Sequence, residues 1–363
     1  KRNIDKNYTA PLNTISTNIN EDTNNGIIYV QEESNGDYKV KLNQFVNAGY
    51  VNMFFPAGEK WDLNAGVRAE NSNREIKYRE QGDPFGSPYR TKTDDNLDIL
   101  PSVNAKYLLN ENSNLRASVA KTITRPVAME LLPINYINAD ATSESGNPNL
   151  LNSENYNADI KYEVFPNSKE LFAVGVFGKM INDPIERVFK PTANSGGQIT
   201  TFKNSEQAII FGAEIEVLYQ LSRINESLSN FSFGFNTSIM STDVTIDIKK
   251  QGNELENSTH RKLQGASNWL INTDLKYDFV VNQDWKNTMT LVYNVYGDRI
   301  FAVGSSGLDH IYEKSFSKLD FVWSSIFSKN IEMKFAVENI LNPSYRKELG
   351  NNSTINITEN SFE

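Results

Sequence analysis

Apolar and polar residues alternate along most of this chain. From Trp61 the apolar set is Trp61, Leu63, Ala65, Val67 and Ala69, and the residues between them are Asp62, Asn64, Gly66, Arg68 and Glu70. A period of two puts the two sets on opposite faces of a strand. Ile99, Val103, Ala105 and Tyr107 likewise oppose Asp98, Ser102, Asn104 and Lys106. The pattern recurs at 115–120, 156–164, 211–219, 231–236, 269–277, 289–295, 319–323 and 331–337, and less cleanly at 40–55 and 171–179. The spacing predicts about 12 strands between residues 38 and 346, within a single domain over 1–363. Residues 1–37 and 347–363 read as loop-like. The helix-like apolar pattern is weak and covers Val127–Leu132.

The connections sort by length. Short ones fall at Pro56–Lys60, Asn110–Asn114, Pro166–Lys169, Arg223–Ser227, Asn282–Lys286 and Lys329–Asn330. Long ones fall between them, at Gln81–Asn96, Pro126–Asn152, Pro191–Glu206, Thr242–Gly265 and Phe301–Ile311. Turns at one end and long loops at the other is the layout of an outer-membrane β-barrel. Lipid offers no hydrogen-bond partner, so the apolar stripe faces outward and the charged stripe lines the lumen. Arg68, Glu70, Arg116, Lys121, Glu214, Glu216, Asp298 and Arg299 are then expected to point inward. Aromatics near strand ends are expected to form interfacial girdles: Trp61, Tyr107, Tyr162, Phe165, Tyr219, Phe231, Tyr277, Trp285 and Trp323.

Composition narrows the reading. The 363 residues carry 20 Phe, 16 Tyr and 4 Trp, yet mean hydropathy is −0.50, as a barrel with an apolar outside and a wet inside requires. A net charge of −9 disfavours nucleic-acid binding, which needs a basic face. With no cysteine there is no zinc finger, iron–sulfur cluster or disulfide framework. No run of about 18 apolar residues exists, which rules out a spanning helix and says nothing against strands that cross in about 10 residues.

Several stretches are similar to the barrels of TonB-dependent receptors of the Bacteroidetes type. They are Leu100-Pro101-Ser102-Val103-Asn104-Ala105-Lys106-Tyr107, the run 114–126 that ends in Arg125-Pro126, and Gly146-Asn147-Pro148-Asn149-Leu150. Further along come Asn182-Asp183-Pro184-Ile185, Phe211-Gly212-Ala213-Glu214-Ile215-Glu216, the run 293–300, and Val337-Glu338-Asn339-Ile340-Leu341-Asn342-Pro343. Each motif is weak alone, while their order and spacing carry the resemblance over Tyr38 to Tyr345. It implies an all-β, antiparallel transmembrane barrel in the outer membrane, with this chain holding about 12 of 22 strands. Signal peptide, TonB box, plug and a closing aromatic strand are expected to lie outside this chain. It further implies TonB as energy source, outer-membrane lipid and the plug as partners, and a role for surface lipoproteins or other outer-membrane proteins. The imported nutrient is expected to be siderophore-bound iron, a glycan, a peptide or a vitamin.

Rival readings are an assembly scaffold built on a receptor-like barrel, a passive porin of about 12 strands, and a barrel enzyme. The last is disfavoured because His260 and His310 sit in predicted loops and no Gly-x-Ser-x-Gly or His-Glu-x-x-His occurs. No cofactor is expected. Asp94 and Asp95 lack the spacing of a calcium loop, so no metal site is assigned. The loop from Arg125 to Asn152 is the longest and is the expected ligand or partner contact, through Arg125, Leu131, Tyr136 and Asn147. Its apolar residues Leu131, Leu132, Ile134, Tyr136 and Ile137 are too many for a solvated loop. They are expected to fold into the barrel mouth or to pack on a partner.

Overall fold

The computed structural model describes residues 20–21, 28–29, 40–79, 83, 86–137, 143–191, 198–246, 258–328, 331–350 and 353–359. Twelve long strands follow one another as antiparallel neighbours in chain order: β1 Lys41–Ala57, β2 Trp61–Tyr78, β3 Arg90–Asn110, β4 Ser113–Thr124, β5 Ser153–Val164, β6 Leu171–Asn182, β7 Gln207–Gln220, β8 Phe231–Thr245, β9 Trp269–Asn282, β10 Trp285–Tyr296, β11 Phe316–Phe327 and β12 Ile331–Val337. Five of the short connections lie at one end of this sheet, with two 3-10 turns, Leu221–Arg223 and Glu226–Leu228, between β7 and β8, and Lys329–Asn330 lies outside the described residues; the one α-helix among the described residues is the single turn Ala128–Leu131. Glu130 caps that turn by accepting the Val127 amide at 2.8 Å.

Register fixes the faces. Leu115 lies across from Tyr162 and Tyr107, Val119 from Val103 and Ala158, and Ile160 from Val176, so one apolar face runs unbroken over these strands. Its members Val103, Val119, Ile160, Val176, Phe211 and Ile215 are solvent-exposed in the isolated chain, as a lipid-facing surface must be. Aromatic pairs gather beside the short turns: Trp61 and Tyr107 at 4.6 Å, Phe231 and Tyr277 at 4.5 Å, and Trp285 edge-on to Phe327 at 6.0 Å. They form the periplasmic girdle. At the far end of the same face the outward residues turn polar, with Gln207 donating to Asn182 and His260 meeting Asp243 at 3.0 Å.

Strands β2 and β3 have 18 and 21 residues, well beyond the roughly 9–11 that cross a bilayer. Arg90–Asn96, expected inside a loop, pairs with Ser72–Tyr78 and carries this hairpin above the membrane. The expected loops 191–206, 242–265 and 301–311 likewise contain strand: Gln198–Asn204, the end of β8 to Thr245, and part of Arg299–Gly304. In 347–363, expected to be loop-like, Tyr345–Leu349 pairs with Ser353–Glu359; in 1–37, Asn20–Glu21 pairs with Ile28–Tyr29.

The long loops build a second layer. An eight-stranded sheet runs in the order 353–359, 345–349, 311–313, 299–304, 185–191, 198–204, 143–145, 135–137. Two of its pairings are parallel, Val188 with Val303 and Ile199 with Ser143, so segments from different loops join edge to edge. Val188, Phe189, Phe202, Ile300, Ala302 and Val303 are its buried apolar residues among those described. The barrel sheet itself is open: β1 and β12 are its edges and do not pair with each other. A closed 12-stranded porin is therefore not what this chain forms among the described residues.

Candidate functional site

The inner face of β2 to β7 is ionic. One cross-strand row reads Asp62, Lys106, Arg116, Lys161, Gly175, Glu214. Arg116 Nε donates to Glu163 at 2.6 Å, and Lys161 Nζ reaches Glu216 at 2.8 Å. Gly175 lies between them in the row, where a Cβ would rest in ordinary contact with the Lys161 stem at 3.5 Å. Toward the mouth, Arg68 Nε donates to Glu70 at 2.6 Å, and Arg125 bridges Glu70 and Asp98, both at 2.7 Å. The inner face of β8 to β10 is an amide ladder: Asn294 Nδ2 donates to Asn272 at 2.8 Å, which donates to Asn236 at 3.4 Å.

The loop after Arg125 folds inward over this wall. Leu131, Leu132, Ile134 and Leu150 form one core with Val40 and Leu42 of the β1 end, Ile76 and Tyr78 of β2, and Phe202. Arg74, paired with Asp94, also donates to the Leu150 carbonyl at 2.8 Å. Gly146 is forced at its position, since a Cβ would lie 2.3 Å from the Leu132 carbonyl oxygen. Asn147 donates to the Phe202 carbonyl and accepts the Asn149 amide, so it shapes the loop.

The expected site residues therefore divide. Arg68, Glu70, Arg116, Glu214 and Glu216 lie on the lumen face, and Arg125 joins Arg68 and Glu70 there. Lys121 does not: it continues the outward set Leu115, Ala117, Val119 and lies opposite Tyr156. There it donates to Glu154 at 2.7 Å, and Tyr156 donates to the same carboxylate at 3.0 Å. Its charge suggested the lumen, but its odd position in the alternation decides. Asp298 and Arg299 lie beyond the end of β10, in the extracellular layer. Arg299 donates twice to Glu313, at 2.8 and 2.9 Å, which holds its guanidinium above its usual pKa. Asp298 pairs with Lys314 and raises that amine's pKa in the same way. Leu131 is fully buried and anchors the loop, so it is not a contact surface. The side chain of Tyr136 lies outside the described residues.

The residues that composition did not single out are Glu186 and Arg261. Glu186 is buried in the extracellular layer and accepts from Arg261 Nη1 and Nη2 at 2.8 and 2.7 Å, from Ser205 Oγ at 2.5 Å and from the Gln264 amide at 3.0 Å. Nothing in the local sequence marks it beyond the neighbouring Asn182-Asp183-Pro184-Ile185. Of the histidines, His310 Nδ1 accepts the Gly304 amide at 2.9 Å, and His260 is exposed. Among the described residues no group of three or more His, Asp or Glu is placed to hold a metal.

Against this geometry, the family model of outer membrane protein β-barrels matches residues 3–363. The chain belongs to the outer membrane protein β-barrel family. Its place is the outer membrane, as a member of that family. Solved structures share the fold. The ferric yersiniabactin uptake receptor FyuA from Yersinia pestis superposes with a TM-score of 0.57 at 13% identity, over 85% of this chain and 42% of that one. The ferric-catecholate import receptor Fiu from E. coli K12 gives 0.57 at 14%, over 88% and 43%. The copper transporter OprC gives 0.58 at 16%, over 85% and 44%. This family member thus spans less than half the length of these structures. A comparison with curated protein sequences finds no match.

Proposed function

We propose that this chain forms about half of the barrel of a TonB-dependent receptor of the Bacteroidetes type, which captures and imports a scarce nutrient. One observation carries the reading. An ionic, hydrated lumen wall stands beneath a folded extracellular layer, in a sheet of 12 strands whose two edges are left unpaired. Large outer-membrane transporters close with 22 strands around a plugged lumen. The structures named above are described as uptake receptors, import receptors or transporters, which supports import for this chain at that coarse level. The nutrient is siderophore-bound iron, a glycan, a peptide or a vitamin. TonB supplies the energy, the plug gates the lumen, and a surface lipoprotein is a candidate partner at the extracellular layer.

The test is uptake by intact cells. The gene for the full-length protein is deleted and restored, and labelled nutrients of each class are offered with TonB present or removed. The expected result is one nutrient whose uptake falls on deletion and returns only when both proteins are present. Uptake that persists without TonB sinks the proposal. Unchanged uptake together with loss of an outer-membrane complex would favour the scaffold instead.

A further inference from the structure

The inner face of β8 to β10 carries a patch unlike the ionic wall beside it. Asn236, Asn272 and Asn294 are directly opposed on the three strands, and two hydrogen bonds link them. An amide has two N–H donors and a carbonyl oxygen, so most of this capacity is left over. The Asn236 N–H groups and the Asn294 oxygen have no partner among the described residues. One row toward the periplasm, Asp274 stands between Gly234 and Val292. Its carboxylate lies in the space that a side chain at Gly234 would occupy. Neither Asp274 nor Lys276, the next inward residue of β9, has an ion pair among the described residues. The charges flanking the patch are matched, Glu216 by Lys161 and Lys318 by Asp320 and Glu338. The patch itself holds one carboxylate and one amine, so its charges cancel. Its three asparagines, Asp274 and Lys276 are all half-buried. One row toward the mouth, the rings of Tyr296 and Phe316 stand 6.3 Å apart on the same face.

We infer that this patch binds a neutral, polyhydroxylated ligand, a sugar unit of an oligosaccharide, with Asp274 and the asparagine ladder as its hydrogen-bonding groups. A hydroxyl both donates and accepts, and so does an amide, so the two match without net charge. An unpaired carboxylate accepts two hydroxyl donors, and such charge-assisted bonds are the strong ones. Val292 and the ring of Tyr296, on either side of Asn294 along β10, offer apolar surface to the C–H face of a sugar ring. An anionic chelate would find no excess of cations here. An extended peptide would find no free strand edge, since β8, β9 and β10 each pair on both sides. The inference rests on the import reading and narrows its nutrient to a glycan.

The test is binding to the purified full-length protein, in a detergent without a sugar headgroup, by saturation-transfer NMR and then titration calorimetry. The probes are neutral glucan, mannan, galactan and xylan oligomers, with a galacturonan oligomer as the acidic comparison. At least one neutral oligomer should bind saturably, and the galacturonan more weakly. Asp274→Ala should weaken that binding about ten- to a hundredfold, the scale of hydrogen bonds to a charged group. Asn272→Leu, which cuts the ladder, should weaken it several-fold. Asp62→Asn, on the ionic wall, should leave it unchanged. Heat-modifiable gel migration shows that each variant has folded. No saturable binding of any neutral oligomer at millimolar concentration, tighter binding of the acidic one, or binding that both patch variants leave intact overturns the inference. Sugar binding without TonB-dependent uptake refutes import and keeps the site. TonB-dependent uptake of another nutrient, with no sugar bound, does the reverse.

Discussion

Replacing Glu186 with Gln tests what holds the extracellular layer together. The change keeps the shape and removes the charge from a side chain 1% exposed, opposite Arg261 at 4%. It removes the carboxylate charge that both Nη groups of Arg261 meet and weakens four hydrogen bonds at once. Breaking one partner of a buried pair costs about 3–5 kcal/mol. The loss should fall on local opening of this layer, because barrel strands are closed by their own ladders. The probes are the Gln264 amide, which donates to Glu186, the Arg187 amide, which donates to Gln264 Oε1, and the Ser205 amide, which donates to the Pro184 carbonyl. Hydrogen exchange at these three should quicken by roughly a hundred- to several-thousand-fold, since each 1.4 kcal/mol is tenfold. Exchange in β9 and β10 should not change. The double variant Glu186→Leu/Arg261→Met removes both charges and should recover most of the protection, because an apolar pair of similar volume is often neutral or better. An effect under about tenfold for Glu186→Gln, or a double variant as labile as the single one, would refute this reasoning.

Leu131→Ala should cost about 2–5 kcal/mol of loop anchoring, read as faster proteolysis within 126–152 with no change in heat-modifiable migration. Val176→Arg puts a charge midway along β6 on the lipid-facing side and should cost about 2–4 kcal/mol, seen as a lower yield of assembled protein in the outer membrane. Lys121→Ala should leave the ionic wall intact, with unchanged reactivity of Lys106 and Lys161 toward an amine-specific label, because Lys121 lies on the opposite face; a changed pattern would return it to the lumen.

Strand number and facing were legible because the alternation is enforced by two different solvents, lipid outside and water within. Where both faces meet water the rule lapses. The outward residues Asn71, Asn73, Glu75 and Lys77 of β2 are polar, and the partners of the last three, Asp95, Thr93 and Thr91, read as loop, so the tall hairpin is not legible in the alternation. Lys121 departs for the converse reason: its charge points to the lumen, but its parity sets it opposite Tyr156 on the outward face. The apolar run around Leu131 leaves open a fold into the mouth or a partner surface; Leu131, Leu132 and Ile134 pack on Val40 and Ile76, which lie dozens of residues away in the chain. The extracellular sheet was illegible because its strands are short and their pairings join separate loops.

That sheet has a consequence for the order of assembly. Its strands span the sequence from residue 135 to residue 359, and neighbours such as Val188 and Val303 are remote in the chain. Closing such distant contacts is slow unless something else has already brought the segments near. The barrel hairpins do this, since each pairs with its sequence neighbour and sets the roots of the loops. The extracellular sheet is therefore a late-forming element, and an insertion intermediate stalled before its closure would present a row of unpaired strand edges at the cell surface.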